Sequence, residues 1–123
     1  MPIAAWREYL PHALRFLQGS EGRNMKERYD LYSKVGRCLL ADGRIKEAVK
    51  CFEESYQWEK GHSAEDHPSR LTSQHELAVA YQADGQVKKA IELLQYVVAI
   101  RKKTLAEDHS FRLASQHELA RAY

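Results

Sequence analysis

Residues 65–81, EDHPSRLTSQHELAVAY, return as residues 107–123, EDHSFRLASQHELARAY, at an offset of 107 − 65 = 42 residues. Of the 17 positions only Pro68/Ser110, Ser69/Phe111, Thr72/Ala114 and Val79/Arg121 differ. A fixed period of roughly 20–50 residues marks an array of one supersecondary unit, each copy hiding its apolar face against its neighbours. Such arrays serve as surfaces for binding rather than as pockets for chemistry. The near identity extends to positions expected to face solvent, which recent duplication explains better than packing does.

The same offset aligns Ala41-Asp42-Gly43 with Ala83-Asp84-Gly85, Ile45 with Val87, Ala48 with Ala90 and Phe52 with Leu94. One period earlier, Ile3, Leu10, Leu14, Phe16 and Gly19 fall on Ile45, Phe52, Tyr56, Trp58 and Gly61 in character. The chain of 123 residues thus approaches three periods, 3 × 42 = 126. Four segments follow: residues 1–22 as a lone second helix, units at 23–64 and 65–106, and 107–123 as the first helix of a truncated unit. Leu71, Leu77, Ala78 and Tyr81 recur at helical spacing and predict a helix over residues 69–83. Ala90, Ile91, Leu94, Val97, Val98 and Leu105 predict a second over residues 87–105. Their equivalents are 28–41 and 44–60. A further helix is expected over residues 3–18, kinked by Pro11 or split near Leu10. Pro68 suits the first turn of a helix and Gly85 its end. Links as short as 83–86 force antiparallel packing. Small residues at Gly36, Ala78, Ala120, Ala48 and Ala90 let paired helices approach. The fold class is therefore all-α, a solenoid of antiparallel helix pairs with about six helices.

Composition agrees. Three prolines and six glycines suit long helices, and a net charge of +2 is too small for a nucleic-acid platform. The two cysteines, Cys38 and Cys51, make no disulfide framework and point to a reducing, cytoplasmic setting. No apolar run reaches the roughly 18–20 residues of a membrane span, and the N-terminal segment lacks the pattern of a secretion signal.

Leu77-Ala78, Tyr81, Gly85 and Ala90, echoed by Val35-Gly36, Leu39, Gly43 and Ala48, resemble the tetratricopeptide repeat pattern. The 42-residue period and Asp66-His67-Pro68 resemble its kinesin light chain subclass, and Asp108-His109-Ser110 keeps two residues of that start. SQHELA followed by Ala-Tyr resembles the C-terminal arrays of fungal nucleotide-binding signalling proteins related to NOD-like receptors. The resemblance implies a right-handed superhelix whose first helices line a concave, peptide-binding face. On that face it places Asp30, Ser33 and Arg37 (with Leu40), then Thr72, His75, Val79 and Gln82, then His117 and Arg121 (with Ala114). Arg37, Arg121 and the two histidines tilt this face positive, so an acidic or carboxylate-bearing segment is the expected ligand. The implied function is a protein-interaction module at the sensor or scaffold end of a fungal signalling NTPase. The chain itself carries no Gly-rich phosphate loop with its lysine.

Enzymatic chemistry is not expected. His75-Glu76 and His117-Glu118 begin a zinc-protease motif, but Val79 and Arg121 stand where the second histidine belongs. His67 and His109 are read instead as partners of backbone groups at the turn. No catalytic residue, metal ligand or cofactor site is assigned. Basic clusters at Arg44/Lys46/Lys50, Lys88/Lys89 and Arg101-Lys102-Lys103 read as solvated faces; RNA binding is the weaker alternative. If His75 and His117 neighbour one another, acid should weaken stacking or binding. Leu119, Ala120 and Tyr123 are expected to lack a covering helix, which predicts homo-oligomers formed through the open repeat ends. A self-associating architectural array with no ligand groove is thus the main alternative.

Overall fold

The computed structural model of this chain describes residues 25–104 and 109–123, and all its regular elements are helices. They are α1 (Met25–Ala41), α2 (Ile45–His62), α3 (Pro68–Ala83), α4 (Val87–Thr104) and α5 (Ser110–Ala122). Each packs against its successor, and α3 also touches α5. The expected helix over residues 3–18, with its kink at Pro11, lies outside the described residues, as do residues 105–108. The five other expected helices fall within a few residues of their predicted bounds. α1 begins three residues before its expected start, and α2 continues past its expected end through Gly61 to His62. There the His62 ring stacks on Trp58 at 4.5 Å, and its Nδ1 lies 2.8 Å from the Trp58 carbonyl. The last turn is thus held by side chains despite the glycine.

The turns explain the antiparallel pairing. Gly43 and Gly85 take φ of 81° and 80°, the left-handed region that glycine enters without steric cost. In both turns the same bonds close the helix end: Gly43 N–H to Leu40 O and Arg44 N–H to Leu39 O, then Gly85 N–H to Gln82 O and Gln86 N–H to Tyr81 O. This is the Schellman arrangement, which satisfies carbonyls that a helix end leaves open. The opposite ends of α3 and α5 also match. His67 and His109 are N-caps whose Nδ1 atoms accept from Ser69 N–H at 3.1 Å and Phe111 N–H at 3.2 Å. That is the backbone role expected of them, and it requires an unprotonated Nδ1.

The core runs without a break through both units. Val35, Leu39, Ala48, Phe52, Leu77, Ala78, Tyr81, Ala90 and Leu94 form one buried cluster, and Leu119 and Ala122 of α5 pack against it. Ala48, Ala78 and Ala90 are fully buried, as expected of residues that set helix approach. Gly36 is tighter still. A Cβ there would lie 2.9 Å from the Phe52 ring.

Candidate functional site

The first helices of successive units, α1 and α3, flank a cleft of about 340 Å³ over α2. Asp30, Ser33, Arg37 and Thr72, four residues named from sequence, line it together. Their spacing on α1 and α3 turns them to one side. The floor is rich in hydroxyls: Ser55 of α2 is buried and its Oγ lies 2.7 Å from Ser33 Oγ, while Ser69 and Ser73 come from α3. Buried Glu59 accepts from Ser63 Oγ at 2.6 Å and also lines the cleft.

Arg37 does not stand free. Its Nε donates to Glu76 Oε2 at 2.8 Å and a terminal nitrogen to Oε1 at 3.3 Å. This fork joins the two units, and the hydrogen bond that Arg37 donates to Glu76 raises the Arg37 pKa above its ordinary value. The lining holds Asp30, Glu59 and Glu76 against Lys34 and Arg37, three acids to two bases. Within this cleft the charge is therefore balanced to slightly negative, since Glu76 takes the Arg37 guanidinium and Asp30 and Glu59 outnumber Lys34.

The other named residues lie elsewhere. On α3, His75, Val79 and Gln82 are half-buried. Burial, then the Arg101 guanidinium, pushes the His75 pKa below its ordinary value, with Glu118 pulling the other way. His75 thus looks towards α4 and α5 rather than into the cleft. Exposed His117 and Arg121 sit on α5, where Arg121 pairs with Glu118 of the same helix at 3.2 Å. Along α5, Leu119 is half-buried against the core, while Ala120 is exposed and Tyr123 75% exposed. The Tyr123 hydroxyl accepts from Gln95 Nε2 at 2.5 Å. Phe111 (56%) and Leu113 (50%), not named from sequence, add to the exposed apolar surface of this helix.

The basic clusters do not form a stripe. Arg44 is tied to Glu47 at 2.5 Å and Lys46 to Asp84 at 3.3 Å. Arg101 is 4% exposed; it donates to Ser115 Oγ and to the Phe111 carbonyl, and lies 5.5 Å from the Phe111 ring centroid. Nor are the cysteines poised for chemistry. Burial pushes the Cys51 thiol up to about 11 and raises that of Cys38, so both stay protonated at neutral pH. Among the described residues no group of three or more His, Cys, Asp or Glu could hold a metal ion, and no helix is long and apolar enough to cross a membrane.

Sequence reasoning missed Glu76, Ser55 and Glu59. Glu76 lies 39 residues from Arg37, one period less a helical turn, so in-register alignment pairs Arg37 with Val79 instead. Ser55 and Glu59 come from a second helix, whose inward edge reaches the floor.

Against known proteins, a tetratricopeptide repeat family model matches residues 27–103. Among solved structures the chain is similar to the nearly identical TPR-like repeats of a Podosopora anserina protein named as a kinesin light chain. Identity is 38% and the TM-score 0.80, covering 99% of this chain and 67% of that one. A variant of the same repeats matches at 38% identity and TM-score 0.81, covering 100% and 68%. No curated protein matches.

Proposed function

Because the chain belongs to the tetratricopeptide repeat family, whose arrays mediate protein–protein interaction, we propose that the α1/α3 cleft binds an extended segment of a partner protein. The observation that carries this reading is the convergence of Asp30, Ser33, Arg37 and Thr72 on one hydroxyl-lined cleft. Hydroxyls donate and accept, so they suit the alternating groups of a peptide backbone. With Arg37 already engaged by Glu76, the cleft favours a neutral or lysine-bearing segment over an acidic one. The kinesin light chain subclass and the SQHELA string support a place at the sensor or scaffold end of a fungal signalling NTPase. In that arrangement nucleotide chemistry belongs to a separate domain. Coding sequence for a nucleotide-binding domain beside this one in the parent gene is the expected finding, and a gene without it removes the NTPase assignment.

A photo-crosslinking side chain at Asp30, on the α1 side of the cleft, should capture a discrete protein, and one at exposed Lys50 of α2 should not. Thr72→Trp, which fills the cleft, should abolish capture without lowering the melting temperature. Equal capture from both positions would defeat the proposal.

A second reading is favoured by one observation. Phe111, Leu113 and Tyr123 leave exposed apolar side chains along α5 and at its end, which suit association of copies. This reading needs no ligand groove, and Thr72→Trp would leave it untouched.

A further inference from the structure

We propose that a second cleft, enclosed by α2, α3 and α4, binds an aromatic side chain carried on an uncharged stretch of extended peptide. This cleft lies about a third of a turn round α3 from the α1/α3 cleft. Its volume is about 490 Å³, the larger of the two. Tyr56 lines it from α2, Leu77 from α3, and Leu93 and Tyr96 from α4. Aromatic and apolar side chains together favour a ring, since ring pairs gain beyond the area they bury.

The polar groups of the cleft are sorted by end. At one end Tyr81 Oη donates to Glu53 at 2.7 Å, and Lys89 Nζ lies 5.3 Å from the Tyr81 ring centroid. That end is satisfied within the protein. At the other end, Gln74 is 2% exposed and its Oε1 has no hydrogen-bond partner. One helical turn earlier, Arg70 donates a terminal nitrogen to the Ser63 carbonyl at 3.1 Å, while its Nε is also without a partner. An unpaired acceptor and an unpaired donor one helical turn apart on α3 complement the N–H and C=O of a peptide unit. The carboxamide is nearly two-fold about its last torsion, so either polar atom can turn towards a ligand. Charge selects against ions: Arg70 and Lys89 are balanced by Glu53 and Glu92.

The repeat supplies an internal control. Arg112, Gln116, Leu119 and Tyr123 stand one period after Arg70, Gln74, Leu77 and Tyr81, and Arg112 Nε is likewise unpaired. Val98 stands at the place of Tyr56, so that copy lacks this tyrosine.

The experiment titrates N-acetyl-L-tyrosinamide, a ring between two peptide groups, into the isotope-labelled full chain followed by NMR. Saturable shifts are expected at the Gln74 carboxamide and the Leu77 and Leu93 methyls, and N-acetyl-L-alaninamide should not produce them. Gln74→Leu and Tyr96→Ser should each weaken binding about tenfold or more, while Gln116→Leu and Thr72→Trp leave it unchanged. Should Gln74→Leu fail to fold, Tyr96→Ser alone decides. No saturable shift, shifts equal for the two probes, or binding that survives these cleft substitutions would overturn the proposal. Because Thr72→Trp does not enter this cleft, failure here is distinguishable from failure of the α1/α3 reading.

Discussion

At Gly36 the first helix pair leaves no room for a methyl group, since Phe52 is 1% exposed and its ring would stand 2.9 Å from any Cβ placed there. One period later the occupants are Ala78 and Leu94, so a larger small residue faces a smaller large one. Gly36→Ala should therefore destabilise by about 1–3 kcal/mol through overpacking, although alanine is the better helix former. Adding Phe52→Leu should recover most of the loss, which urea denaturation of the single and double variants would measure. His75 gives a second residue-level outcome. Its folded pKa is depressed by burial and then by Arg101, so the unfolded chain takes up the proton first. Its contribution to stability is complete above the ordinary histidine value of about 6.5, falls as pH drops towards the lowered value, and levels off below it. Melting temperatures across this window should fall with acid, and His75→Gln should flatten the slope. The charge that opposes protonation is that of Arg101, a group that sequence spacing had placed on a solvated surface.

Among the elements, helix ends were the most legible part of the fold. Pro68, Gly43 and Gly85 each act through their own backbone, so their effect is local and readable without knowing what packs nearby. Gly85→Ala should cost about 1 kcal/mol because φ of 80° is strained for any residue with a Cβ, and Gly43→Ala should cost the same. The two losses should add, as the turns belong to different helix pairs. The residues lining the α1/α3 cleft were partly legible, because Asp30, Ser33, Arg37 and Thr72 share faces set by helical periodicity. What was hidden depends on how neighbouring helices are offset. Glu76 meets Arg37 one helical turn out of register, and Arg101 looks like a surface cation until α5 brings Ser115 and the Phe111 carbonyl to it. Its counterpart one period earlier is Glu59, also buried, so equivalent positions hold opposite charges. No local pattern announces such a substitution.

For the whole molecule, the exposed apolar side chains of α5 predict concentration-dependent mass. Sedimentation should show a species heavier than one chain as concentration rises, and Leu113→Lys should shift it back towards a monomer. A mass independent of concentration in the unaltered chain would remove the association reading. The tie between Arg37 and Glu76 has a consequence of another kind. The glutamate that receives Arg37 recurs as Glu118, and the serine beneath each second helix recurs from Ser73 to Ser115. A tandem copy of residues 67–108 inserted after residue 108 would therefore offer Arg101 a serine and a backbone carbonyl of the same kind, while Val79, at the place of Arg37, would leave the copied glutamate without that cation. Such a lengthened chain should melt higher than its parent, because each added period contributes its own joint. Gene slippage by 42 residues would then alter how long the molecule is while sparing the joint at Arg101.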